Sequence, residues 1–348
     1  MGDDLAPRDS APQQRRAPRP LPLFLELVRQ VSQHDPATAR RALDGLEAYR
    51  NAARPEPRPQ RPVVASAGGA SLRDHGGTGP PLVLVPSLIN PPDILDLDEE
   101  TSLADALARA GNRVLLVDWG EAEQRRELDV GGHVEAMLLP MLAELGEPAA
   151  LAGYCLGGTM AIAAANLAPA RSLATLAAPW HFDRYPPSAR AALSQLWERA
   201  EHAALALGAL PMEVLQAGFW ALDPERTVAK FAGFAATDAG SDKARRFVTL
   251  EDWANEGEPL PLPAARELFE ELFRGDATGR GTWRVGGKVI AGRPPVPTLH
   301  LLAGEDRIVP AATAAEGEHC TIPSGHVGMV VGRARALLHE ELLRFLRQ

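Results

Sequence analysis

The sequence predicts an α/β fold, a mostly parallel sheet with helices on both faces and a helical cap insertion late in the chain. Three observations carry this. From residue 81 onward, short apolar runs alternate with segments of helical periodicity. The alternation stops after Pro179, and it resumes near residue 296 with another apolar run and a closing helix. Strands that alternate with helices pair in parallel, because each crossover lays a helix on a face of the sheet.

The elements follow in order. "PLVLVP" is a strand apolar at every position, as expected where both faces are covered. "TSLADALARAG" (101–111) is a capped helix, and "RVLLVDW" (113–119) is a second strand. A helix is expected at about 132–146. It leads to the short strand "PAALAG" (148–153), the helix "LGGTMAIAAANLA" and the strand "RSLATLAAP" (171–179). Residues 181–295 read mainly helical and carry four of the six tryptophans, Trp197, Trp220, Trp253 and Trp283. Then come the strand in "PVPTLHLLAGEDRIVP", the segment "CTIPSGHVGM" and the final helix "RARALLHEELLRFLRQ". Ahead of the sheet, residues 1–20 are rich in Pro, Arg and Asp and read as a disordered tail, with Arg15, Arg16 and Arg19 solvated. Residues 21–52 form one or two amphipathic helices broken near Asp35-Pro36, and "ARPEPRPQRP" (53–62) is a linker. The expected domains are therefore a tail (1–20), a helical segment with linker (21–62), a core (63–180 and 296–348) and a cap (181–295).

Composition narrows the function. The 348 residues include 36 Lys plus Arg against 45 Asp plus Glu, a formal charge of −9, which argues against general nucleic-acid binding. No apolar run approaches the roughly 20 residues of a membrane helix. The first residues lack the apolar stretch of a secretory signal. Only two cysteines occur, Cys155 and Cys320, so a disulfide framework is not expected and the cytoplasm is the expected compartment.

Chemistry concentrates in three segments. Gly153-Tyr154-Cys155-Leu156-Gly157 has the form of a nucleophile elbow, a sharp strand-to-helix turn that exposes its central residue. A helix starting at that point directs its N-terminal dipole at the sulfur and favours the thiolate. Asp306 follows the strand "TLHLLAGE", where an orienting carboxylate belongs, with Glu305 as its neighbouring rival. His326, in "PSGHVGM", lies on a later loop, where a general base belongs. Nucleophile, acid and base in this order, on this alternating framework, are the layout of an α/β-hydrolase with a cap. One oxyanion donor is expected from the backbone N–H of Leu156. The second is expected from the loop "VPSLINPP", with Leu88 favoured over Ile89 and Asn90 holding the loop. Cys320 reads as a buried core thiol, His319 as structural and Asp118-Trp119-Gly120 as a structural turn.

These segments resemble the polyhydroxyalkanoate synthases, particularly their short class III catalytic subunits, over roughly residues 81–332. The matching stretches are "PLVLVPSLINPPDILDLDEETSLADALARAGNRVLLVDWG", "GYCLGGTM", "LAGEDRIVP" and "SGHVGMVVG". The resemblance implies that Cys155 is acylated, that His326 is its base and that Asp306 supports His326. It further implies (R)-3-hydroxyacyl-CoA substrates, a growing polyester as product, release of CoA, and no metal or organic cofactor. It implies association through the cap as a homodimer or with a non-catalytic partner subunit, and a place at the surface of polyester granules. "INPPDILDL", "DVGGHVEAM" and "DWANEGEPLPLPAARELF" depart from the family pattern, in regions that shape its substrate channel and dimer contact.

The choice of thiol over hydroxyl has a physical reason. Exchange between two thiols conserves most of the energy of a thioester, so loading costs little driving force and later attack by a hydroxyl is downhill. A cysteine hydrolase on the same scaffold is the alternative, differing only in whether water or a hydroxyl meets the acyl-enzyme. A non-enzymatic scaffold with a relict triad is the third reading, opposed by the presence of all three residues.

Overall fold

The computed structural model describes residues 16–348. Residues 1–15, most of the expected tail, lie outside that range. The described chain divides into two compact units.

The larger unit, Glu56–Leu222 with Glu256–Gln348, is built on one eight-stranded sheet. Its strands are β1 (Val63–Ala67), β2 (Ala70–Asp74), β3 (Pro81–Val85), β4 (Arg113–Asp118), β5 (Ala149–Tyr154), β6 (Ala170–Leu176), β7 (Thr298–Ala303) and β8 (Glu318–Ile322). They lie in the order β1-β2-β4-β3-β5-β6-β7-β8. Pairing is parallel from β4 to β8, and β2 runs antiparallel to both neighbours. β3 and β5 are buried at every position, which explains their unbroken apolar sequences. The helix after the first parallel strand spans Leu103–Arg109 and starts where Ser102 accepts from the Asp105 N–H at 2.9 Å.

Two features of this unit depart from the sequence reading. The β1–β2 hairpin was not foreseen. It turns on Gly68 and Gly69, both at positive φ (57° and 94°), the requirement of a two-residue hairpin turn. The expected helix at 132–146 runs over 130–144 and contains a π turn at Val134–Leu138.

The smaller unit comprises the described residues up to Pro55 with Asp223–Asn255. Its helices are Leu21–Ser32, Pro36–Asn51, Pro224–Phe234 and Asp242–Asn255. Two begin alike: Asp35 and Asp223 cap the Thr38 and Arg226 N–H groups, each followed by proline at the first helical position. The core holds Phe24, Tyr49, Phe231 and Phe247 in edge-on contact, with Phe234 stacked on Phe247. Tyr49 donates to Asp252 at 2.5 Å, and Arg54 pairs with the same carboxylate. Residues 223–255, read from sequence as part of a single cap over 181–295, thus fold with the N-terminal helices instead. Helical periodicity reports that a face is buried, not which partner buries it. Among the described residues no helix is long and apolar enough to cross a membrane.

Candidate active site

The site lies at the carboxyl ends of the parallel strands, within the larger unit. β5 ends at Tyr154, and the helix Leu156–Leu167 begins directly after Cys155. Cys155 therefore turns the chain alone, at φ 56° and ψ −132°, a strained conformation for a residue with a side chain. The turn is held from both sides: the Cys155 N–H donates to the Leu176 carbonyl at 2.9 Å, and its carbonyl accepts from Gly158 at 2.8 Å. The flanking glycines are required by contact. A Cβ on Gly153 would stand 2.5 Å from the Gly157 carbonyl oxygen, and one on Gly157 would stand 2.2 Å from that of Val85. Gly157 thereby lets the helix start lie directly against the loop that leaves β3.

Asp306 follows β7, and His326 follows β8. His326 Nδ1 lies 2.6 Å from Asp306 Oδ2, and the Asp306 side chain is 0% exposed, whereas Glu305 is exposed. The other carboxylate oxygen, Oδ1, accepts from the Ile308 and Val309 N–H groups, each at 2.8 Å, which fixes the carboxylate in its turn. Burial opposes the charged imidazolium, but the neighbouring Cys155 sulfur and the Asp306 carboxylate, which accepts its hydrogen bond, outweigh it, so the His326 pKa is pushed up to about 10.

The loop expected to supply an oxyanion donor is tied down by a residue read only as part of a turn: the Trp119 indole N–H donates to the Pro86 carbonyl at 3.1 Å. Within that loop Leu88 is buried, and the Ile89 N–H donates to Ser87 Oγ at 3.3 Å. Leu156, as the first helical residue, has an N–H outside the intrahelical ladder. Sequence also missed Tyr154. Its ring lies 4.9 Å from the His326 imidazole, and its hydroxyl donates to the His326 carbonyl at 3.3 Å. Tyr154 sits inside the elbow motif, but sequence does not show which way it faces.

The remaining candidates are placed apart from this cluster. Cys320, read as a buried core thiol, is half-buried on β8, with its thiol pKa pushed up by burial and by neighbouring Glu341. His319 bonds the Ala315 carbonyl at 2.8 Å. His75, Asp96 and Asp105 have the spacing of metal ligands, but Arg58 pairs with both carboxylates (2.9 and 2.5 Å) and Arg61 with Asp105 (2.9 Å). Guanidinium groups thus already neutralise that cluster.

Cys155, Leu156, Ile89 and Asp306 open onto a cavity of about 540 Å³. Its far walls come from the helices Pro187–Leu207 and Met212–Ala221 and from a π-helical stretch, Glu267–Arg274. Phe273 packs edge-on against Phe182 and Tyr185 at 4.9 and 5.1 Å, giving the cavity an aromatic side.

Sheet order, elbow and the strand ends that carry Cys155, Asp306 and His326 define an α/β-hydrolase-fold protein. In sequence the chain is similar to PhaC subunits of poly(3-hydroxyalkanoate) polymerases. It is 27% identical over 286 residues to the subunit from Haloarcula marismortui, covering 77% of this chain and 60% of that protein. To the subunit from Thiocystis violacea it is 26% identical over 279 residues, covering 73% of this chain and 77% of that protein. The match thus spans less than two thirds of the haloarchaeal relative. No family model matches it. Among solved structures, a hydrolase from Pseudomonas aeruginosa aligns with a TM-score of 0.45 and 21% identity, over 82% of this chain and 97% of that one.

Proposed function

We propose that this chain is the acyl-transferring subunit of a polyhydroxyalkanoate polymerase of the class III kind, acting on (R)-3-hydroxyacyl-CoA thioesters. The observation that carries the reading is the grouping of Cys155, His326 and Asp306 at an apolar cavity, in a chain similar to PhaC subunits.

In this reading His326, with its raised pKa, takes the proton of Cys155, which attacks as the thiolate. The thiolate adds to the substrate carbonyl, and the oxyanion is met by the Leu156 and Leu88 N–H groups, since the Ile89 N–H is already engaged by Ser87. Collapse breaks the carbon–sulfur bond to CoA, whose thiolate takes the proton from His326. The acyl group is then a thioester on Cys155, and His326 is neutral. His326 next accepts the proton of an incoming 3-hydroxyl, whose oxygen attacks the Cys155 thioester. Collapse forms the oxygen ester and returns the thiolate beside the imidazolium. Both steps are acyl transfers, so the scheme calls for no redox or metal chemistry. The growing polyester is the second substrate.

The test is CoA release from (R)-3-hydroxybutyryl-CoA, with recovery of the acyl product, by wild type and Cys155→Ala. CoA release with insoluble polyester, lost in the variant, is expected. Cys155-dependent release with only free 3-hydroxybutyrate would overturn the polymerase reading in favour of a cysteine hydrolase.

A further inference from the structure

We propose that the cavity beside Cys155 is a binding site for the alkyl substituent of the acyl group, and that the enzyme selects medium-chain acyl thioesters, about six to ten carbons long, over the four-carbon one. This inference rests on the acyl-transfer reading above for its chemistry. The site itself is argued from size, wall chemistry and one glycine.

Size comes first. At about 540 Å³ the cavity lies in the range of roughly 300–1,000 Å³ that encloses drug-sized ligands. The substituent of a 3-hydroxybutyryl group is a single methyl, which makes use of little of that apolar wall. The walls come second. Among the lining residues only Cys155, Tyr185, Ser188, Asp306 and Arg307 carry polar side-chain atoms, and Cys155 and Asp306 belong to the reacting cluster. A polyester strand would bring ester carbonyls against hydrocarbon at every repeat without donors to meet them, which is costly. An alkyl chain asks nothing of such a surface but contact.

Gly218 is the third observation. It lies inside the helix Met212–Ala221, where glycine is unfavourable, and its backbone is not left-handed. No turn requires it. What it does is face the cavity: a Cβ there would stand 3.0 Å from Leu196 Cδ2 on the opposing helix. Any larger side chain at 218 must take up cavity volume or push Leu196 aside. Gly218 therefore keeps the space open, at the expense of helix propensity.

Each buried methylene should tighten binding about fourfold, equivalent to about 0.8 kcal/mol. The measurement is calorimetric titration of Cys155→Ala, which cannot turn over, with butyryl-, hexanoyl-, octanoyl- and decanoyl-CoA. Affinity is expected to rise on the order of a hundredfold from the four- to the eight-carbon chain. Gly218→Leu in the same background should flatten the series. Ala189→Leu, on the half-buried wall of the helix Pro187–Leu207, should do the same and serves if the first variant does not fold. Equal affinity across the series would overturn the inference, as would a slope that persists undiminished in both filled variants. The transfer reading fails separately: a clear slope here, with no Cys155-dependent CoA release by wild type, would leave the alkyl site standing and remove the polymerase.

Discussion

Replacing Asp306 by asparagine should lower the pKa of His326 by a definite amount. The carboxylate lies 2.6 Å from Nδ1, has no exposed side-chain surface, and is held by the Ile308 and Val309 N–H groups. The His326 pKa of about 10 is a balance: burial lowers it, and Cys155 and Asp306 raise it. Asparagine keeps an oxygen for the two backbone donors but removes the charge. A charge-assisted hydrogen bond contributes about 1.5–3 kcal/mol, so the imidazolium should lose about one to two pKa units. The sign is fixed. The native pKa is raised above the unfolded value, so the stabilisation is complete below about pH 6.5 and is lost as pH rises through about 10. The variant should lose it at lower pH. The assay is an NMR titration of the His326 Cε1–H resonance, assigned by its absence in His326→Gln. CoA release should fall by about two to four orders of magnitude in parallel. An unchanged or higher midpoint in Asp306→Asn would refute the claim that the carboxylate sustains the imidazolium.

Three further outcomes follow from the same geometry. Tyr154→Phe removes the 3.3 Å bond to the His326 carbonyl but keeps the ring, and kcat should fall about two- to tenfold with KM unchanged in acyl-CoA kinetics. Tyr154→Leu should lose more, and equal rates in all three proteins would remove Tyr154 from any positioning role. Trp119→Phe leaves the Pro86 carbonyl without its indole donor, at about 1–3 kcal/mol, and should lower kcat by loosening the oxyanion loop while denaturant midpoints shift modestly. Gly157→Ala places a Cβ 2.2 Å from the Val85 oxygen, a backbone atom that cannot rotate away. The midpoint of urea unfolding should drop by the equivalent of about 1–3 kcal/mol, and wild-type stability would contradict the close approach.

What the sequence made legible follows strand ends. Cys155, Asp306 and His326 each stand just past an apolar run, and the elbow motif with their order suggested that they meet; the structure pairs His326 with Asp306 at 2.6 Å and sets Cys155 close enough to raise the His326 pKa. The elbow was readable because Gly153 and Gly157 flank a side chain at a turn that only small neighbours permit. What stayed hidden depends on orientation or on long-range choice. Tyr154 faces His326 across 172 positions of sequence. The residues 223–255 join helices nearly two hundred positions earlier, as in the Tyr49–Asp252 contact with a separation of 203. The β1–β2 hairpin did have a signal, a Gly-Gly pair between two short β-branched and small-residue runs, but neither run is apolar enough to announce a buried strand.

On the acyl-transfer reading proposed above, Cys155, His326 and Asp306 by themselves do not decide between polymer and free acid, because a base at His326 would deprotonate water as readily as a 3-hydroxyl. The decision falls to whatever occupies the space next to the Cys155 thioester. Here that space is walled by Leu156, Phe182, Leu268, Phe269 and Phe273, and a bound alkyl chain would fill it with hydrocarbon. Water in such a place lacks the two to four polar partners that hold a buried water, whereas a hydroxyl tethered to a polymer end arrives with its entropy already partly spent. Chain-length preference and resistance to hydrolysis are then one property of one cavity. A variant that fills the cavity with protein, such as Gly218→Leu, changes the first through lost space and should not raise hydrolysis. A variant that empties it, such as Phe273→Ala, should raise the ratio of free hydroxy acid to polyester most strongly with the shortest substrate.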